Sequence, residues 1–352
     1  MADMTDSAFC RVVKEITNEP MSPRRASARR NERRTVESDG EARAGTEDRP
    51  VSVVVFREMV SAEAVVRGND KTLGMTAIHD DERMLVQQLF GSDPAVLAEA
   101  AKTIALEHHP EGFDLNMGCP VYKIVHNFNG AALMQNPELA GNIVRAIKQV
   151  IDVPLSVKIR LGWANKTDCV AFAQALEAAG CDLITVHGRT KIQGYSGTAD
   201  WAQVGEVKKA VTIPVLVNGD IHTAEKVVDA LRISGADGVL IARGALGNPW
   251  IFRQIKEVLA GLPVTPVTIG ERLSVVKRHL DLHLEQYGQH TVPTFRKHLS
   301  WYFKGLPHMK DFKGAMMTCS TKPELTTILD AFLAAHQAND TTSYRPTLLT
   351  TK

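Results

Sequence analysis

PLSVKIRLGWANKTDCVAFAQALEAAGCDLITVHGRT, residues 154–190, decides the fold. A β-branched run, Pro154–Ile159, leads into an Ala-rich amphipathic stretch, Asp168–Ala179, and then into a second run, Leu183–Val186. Two extended segments joined through a helix make a right-handed βαβ unit with parallel strands. The rhythm repeats outward in both directions. Toward the N-terminus the runs are Val51–Phe56, Met84–Leu89 and Gly112–Asn116; toward the C-terminus they are Pro214–Val217 and Gly238–Ile241. Helical patterns over Pro94–Glu107, Pro137–Val150, Trp201–Ala210, Thr223–Ser234 and Pro249–Ala260 separate them. Seven strands at this spacing predict an α/β chain with a TIM (β/α)8-type barrel over residues 51–262, its first strand missing. No G-x-G-x-x-G follows a strand, which argues against an open dinucleotide-binding sheet. Thr5–Ile16 reads as the first barrel helix, within a segment 1–19.

The rest of the chain differs from this core. Within 20–50, the stretch 21–49 carries eight Arg against six acidic residues and no aromatic, so it is expected to be a disordered insertion. After Pro266 no strand pattern remains. Arg272–Tyr287, Val292–Phe303 and Glu324–Ala335 predict a small all-helical domain over 263–340, followed by a tail, 341–352. Residues 271–313 hold eight Lys/Arg against four Asp/Glu, with five His besides, a local cationic excess. The whole chain hides it, with 41 Lys plus Arg against 40 Asp plus Glu. Apolar residues at 44% and charged residues at 23% exclude collagen-like, coiled-coil and fully disordered classes. No run of 18 apolar residues suggests a membrane span, and the first residues lack a secretory pattern. Five scattered cysteines without a C-x-x-C pair fit a reducing cytoplasm, with no zinc site or disulfide framework expected.

Barrels of this type place their chemistry at the C-terminal ends of the strands. One strand there runs into Asp114-Leu115-Asn116-Met117-Gly118-Cys119-Pro120, which sets a thiol between Gly and Pro at the mouth. Lys158 and Arg160 share a strand face, because side chains alternate. Two cations inside a barrel need an anion, an electron-rich ring or a carboxylate on another strand. His187 ends the next strand, with Arg189 just beyond it. Asn218-Gly219-Asp220 and Ala242-Arg243-Gly244 end the last two, the usual phosphate site of the fold. Gln88 offers both donor and acceptor to a heterocycle edge. A phosphate site, a lysine, a histidine, an amide and a thiol suggest a flavin mononucleotide pocket with a proton donor opposite. The residues alone do not name the substrate.

At these same positions the sequence resembles the tRNA-dihydrouridine synthases, close to their bacterial B-type branch. The matching stretches are MADMTDSAF, EMVSAEAV, QLFG, DLNMGCPVYKIV, GAALM, VKIRLGW, VHGRT, NGDI, ARGALGNPWIF and, in the tail, KHLSWYFKG. The resemblance implies reduction of specific tRNA uridines to 5,6-dihydrouridine with FMN, recharged by NADPH. It implies Cys119 as catalytic acid, and Gln88, Lys158, His187, Asn218, Gly219, Asp220, Ala242 and Arg243 as flavin contacts. Met1 and Ala2 match the end of a Pro-Met-Ala loop that also touches FMN. Asn116, Arg160 and Arg189 fall on the substrate side, and Arg296 and Lys297 lie in the cationic tail expected to hold tRNA. A monomer is the expected state. With the first strand and the loop proline missing, either a start upstream of Met1 or weak flavin retention is expected. Two other readings stay open: an FMN barrel acting on a free dihydropyrimidine- or dihydroorotate-type molecule, and a non-catalytic RNA-binding relative.

Overall fold

The computed structural model describes residues 5–18 and 51–339; Met1, Ala2, the Arg-rich stretch 21–49 and the tail 341–352 lie outside the described residues. The chain divides into two compact units, 1–245 with 251–263, and 246–250 with 264–352.

The first unit is a parallel sheet whose strands follow chain order. They are β1 (Val55–Phe56), β2 (Val60–Ser61), β3 (Leu85–Phe90), β4 (Gly112–Asn116), β5 (Leu155–Arg160), β6 (Leu183–His187), β7 (Val215–Asn218) and β8 (Gly238–Val239). This is the α/β, TIM-type sheet expected from the sequence. β1 and β2 are two pieces of one barrel strand, since both lie against β3. Val55 pairs with Leu85, but Val60 pairs with Leu89, so one extra residue bulges out between the pieces. The expected run Val51–Phe56 is therefore strand only at its end. Val51 is exposed, and pairing resumes beyond the bulge. The last strand is likewise two residues long, although the Leu240 amide still reaches Val217 O at 3.0 Å.

Local chemistry explains the helices between strands. Asp93 accepts from the amides of Ala95 and Val96 with Pro94 in the first turn, and Asn136 caps the Leu139 amide ahead of Pro137. Val157, Ile159, Ile184, Val186, Val215 and Val217 are fully buried. Alternation then puts the polar residues of the same strands on the opposite face. Register aligns them in rows: Gln88, Asp114 and Ser156; Asn116, Lys158 and Thr185; Arg160, His187 and Asn218.

The helix Ser7–Asn18 is held to this unit by a buried charge cluster. Arg57, in the bulge, donates to Glu82 at 2.5 Å and to the carbonyls of Met75 and Ala77. Ser7 donates to the other Glu82 oxygen.

The second unit is helical, with Ile269–Tyr287, Val292–Tyr302, Met309–Thr318 and Lys322–Asn339. The third of these was not expected. Its sequence, MKDFKGAMMT, shows no clear apolar stripe, and only Met316 is buried. Residues 246–250 belong here rather than to the barrel. A Cβ on Gly247 would meet Trp301 C at 2.3 Å, so only glycine allows this approach. Arg272 donates to Gly247 O and Tyr302 O, and lies 4.9 Å over the Trp250 ring. Arg296 caps the carbonyls of Thr318 and Cys319. His279, His283 and His298 are buried, and burial, with His283 and Lys297 nearby, pushes His279 down to about 3. Within the expected cationic surface of 271–313, three histidines are thus buried, and the half-buried Arg272 and Arg296 give donors to backbone carbonyls. Among the described residues, no helix is long and apolar enough to cross a membrane.

Candidate active site

Cys119 sits on the loop after β4, half-exposed, with every backbone polar group of Gly118 and Cys119 held. Asn116 Oδ1 accepts from both amides, at 3.2 and 2.9 Å. Arg160 Nε donates to Gly118 O at 2.8 Å, and the Ala131 amide donates to Cys119 O at 3.0 Å. Gly130, at φ +59°, lies against this loop; a Cβ there would meet Cys119 O at 2.8 Å. These four hydrogen bonds pin the loop to its neighbours.

Lys158 stands one row below, between Asn116 and Thr185. Burial, with Arg160 nearby, pushes its ammonium down to about 8, against the pull of Asp114. Its Nζ donates to no protein group among the described residues, and the Thr185 hydroxyl beside it is also unpartnered. Burial and then Lys158, Arg160, Arg189 and Arg243 push His187 down to about 2, so its ring is neutral. Arg189 can only donate, so the 3.5 Å contact leaves His187 Nε2 as acceptor and its proton on Nδ1.

Above this row, the amides of Gly219, Ala242 and Arg243 donate to no protein acceptor among the described residues. Unsatisfied amides from two adjacent strand ends beside a guanidinium suit an anion. With Lys158, they fit the phosphate and electron-rich ring of a flavin. Asn218 gives its Nδ2 to Leu240 O at 2.7 Å, leaving its oxygen available. Gln88 uses one hydrogen and one lone pair within the protein, so one of each remains.

Other candidates are committed to the protein. Asn116 spends both Nδ2 hydrogens on Gln88 Oε1 and Met59 Sδ, and its oxygen on the Cys119 loop. Arg189, read from the sequence as a substrate contact, forms a two-point pair with Asp220 at 2.8 and 2.7 Å. It also donates to Ser196 O and Gly197 O. Asp220 additionally accepts from the Ala199 amide at 2.7 Å. Burial raises the Asp220 carboxyl, but Arg189 and that amide outweigh it and hold it below the usual range. These residues shape the mouth. Arg160 keeps its NH2 group for the mouth while anchoring Gly118, Thr190 and Gly194.

Two residues escaped the sequence reading. Tyr195, exposed on the loop after β6, has Arg243 4.3 Å and Arg160 5.6 Å from its ring centre. An aromatic in the Gly-flanked segment GYSG was the available signal. Asp114 is fully buried and accepts from Ser156 at 2.6 Å and Gln88 at 2.5 Å. Its signal was an acid inside an apolar strand, two residues before Asn116. Burial raises its carboxyl pKa.

The profile of the dihydrouridine synthase (Dus) family matches residues 1–338. The chain belongs to the dihydrouridine synthase family. A Rickettsia conorii protein named "Probable tRNA-dihydrouridine synthase" is 41% identical over 272 residues, covering 75% of this chain and 80% of its own. A Mycobacterium leprae protein of the same name is 38% identical over 287 residues, 80% of this chain and 75% of its own. The Synechocystis "Probable tRNA-dihydrouridine synthase 1" is 37% identical over 280 residues, with 79% and 78% covered. In this dihydrouridine synthase, the half-exposed thiol, the unpartnered lysine and the open loop amides share one barrel mouth.

Proposed function

We propose that the chain reduces selected uridines of tRNA to 5,6-dihydrouridine, with FMN as cofactor and NADPH as reductant, as a cytoplasmic monomer. The observation that carries this reading is the pinned loop that presents Cys119 beside the unpartnered Lys158. A bound flavin supplies hydride to the uracil ring. Lys158, the Gly219, Ala242 and Arg243 amides and the Arg243 side chain hold the cofactor. Neutral His187 offers a hydrogen-bond donor at Nδ1 without adding charge. Cys119 gives the proton that completes the C5–H bond. A uracil within a folded RNA reaches this mouth only after swinging out of its stack, where the exposed ring of Tyr195 offers it a face. Incubating the flavin-loaded protein with unmodified transcribed tRNA and NADPH, then digesting to nucleosides for mass spectrometry, tests this. Dihydrouridine in the digest is expected; its absence, with flavin oxidised only by oxygen, refutes the proposal.

The flavin site carries a pH dependence. Lys158 is neutral above about 8 in the free protein, and an anionic ligand draws a proton back onto it. Flavin affinity is therefore level below pH 8 and weakens above it, by up to about tenfold per pH unit. Lys158→Met is expected to bind more weakly and to lose this slope. Fluorescence titration of FMN between pH 7 and 10 measures both.

The helical unit is proposed to hold the tRNA, but not through Arg296, whose donors cap a helix. Lys304, Lys310 and Lys313 are exposed and carry no protein partner among the described residues. Replacing all three by Glu should weaken tRNA binding and reduce the slope of log affinity against log salt by about two to three. An unchanged slope places the RNA elsewhere.

A further inference from the structure

A hydrogen-bond chain runs from the barrel interior to the thiol loop, and its direction is fixed by its ends. The amides of Gly118 and Cys119 can only donate, so the Asn116 atom they meet is its oxygen. Asn116 Nδ2 then faces Gln88, which answers with Oε1 at 3.1 Å. Gln88 is left presenting Nε2, and Asp114 accepts it at 2.5 Å. The other Asp114 oxygen takes the Ser156 hydroxyl at 2.6 Å. Each amide keeps a single orientation because the last group in the row accepts.

We propose that Asp114 is a positioning residue for Cys119, acting through the side-chain orientations of Gln88 and Asn116. Remove the acceptor, and the Gln88 Nε2 hydrogen that points at Asp114 is left buried without a partner. Turning Gln88 over recovers that loss only by facing Nε2 against Asn116 Nδ2. Turning Asn116 as well faces an NH2 against the two loop amides. The error is passed along until it reaches Cys119. A residue that merely filled space would tolerate an apolar replacement of equal size. Asp114 instead requires a group that accepts from Gln88. Asparagine satisfies this: its oxygen takes the Gln88 hydrogen, its NH2 faces Ser156, and the Ser156 hydroxyl turns to Phe113 O, already 3.3 Å away. The kinetic consequence rests on the reading of Cys119 as proton donor; the effect on the loop does not.

The test uses the full-length, flavin-loaded protein and unmodified transcribed tRNA. Three quantities are read: single-turnover flavin oxidation by tRNA, tRNA affinity, and the rate of Cys119 alkylation by iodoacetamide, located by peptide mass. Asp114→Asn is expected to stay within about threefold of the parent in all three. Asp114→Leu should change the alkylation rate by more than about threefold and slow oxidation by about tenfold or more, with tRNA affinity unchanged. If Asp114→Leu does not fold, Gln88→Glu keeps the side-chain size while setting two carboxylates face to face, and should change alkylation in the same way. Parent-like alkylation in the folded disruptive variant overturns the proposal, as does an Asn variant impaired like the Leu variant. Altered alkylation with parent-rate oxidation sustains the relay and refutes Cys119 as the donor instead.

Discussion

Cys119→Ala is expected to slow oxidation of the reduced flavin by tRNA by about two orders of magnitude or more, with flavin and tRNA affinity near the parent values. Hydride addition at C6 of uracil leaves negative charge on C5 and O4, and product forms only when C5 gains a proton. The surroundings narrow the choice of donor. Asp220 is held ionised by Arg189 and the Ala199 amide. His187 is neutral, and its Nε2 already accepts from Arg189. Asp114 is buried a row deeper, beneath Asn116. Lys158 is the real rival, because an ammonium at about 8 is an acid matched to neutral solution. The alanine variant separates the two. With Lys158 as donor, it oxidises on tRNA at the parent rate; with Cys119 as donor, it keeps its yellow colour, is still reduced by NADPH, and stalls with tRNA bound. Anaerobic stopped-flow absorbance at the flavin band reads the rate directly.

What the sequence disclosed and what it withheld follow from the range of the interactions. β-branched runs and Ala-rich intervals are local, so the parallel order from β3 to β8 could be read directly. Period-two alternation was enough to set Lys158 and Arg160 on one face. It could not say that Arg160 turns to Gly118 O, because that bond joins residues 42 apart. Nor could it show that Arg189 and Asp220, both placed at the mouth, would consume each other's charge. Composition misled in the helical unit for the same reason. Arg272 and Arg296 count as cations in the sequence, but their guanidinium groups serve backbone carbonyls. The bulge between β1 and β2 was illegible too, since one extra residue leaves no periodic trace in a segment this short.

Glu82→Leu is expected to destabilise the protein by about 3–5 kcal/mol, because Arg57 is left as a buried charge without its partner. Both side chains are almost wholly buried, at 2% and 0% exposure. Glu82 also receives the Ser7 hydroxyl and, at 3.3 Å, the His79 amide. Its loss therefore removes the Ser7 tie at the start of the helix Ser7–Asn18 as well as the ion pair in the bulge. The attraction in such a pair is largely offset by the cost of dehydrating both ions, so removing one ion costs far more than removing both. Arg57→Leu combined with Glu82→Leu should therefore cost less than the sum of the single changes. The carbonyls of Met75 and Ala77, which Arg57 also serves, keep the double variant below the parent. Urea unfolding followed by circular dichroism gives the three free energies. Strict additivity would mean that the two side chains stabilise the fold independently, and that the 2.5 Å contact between them contributes nothing.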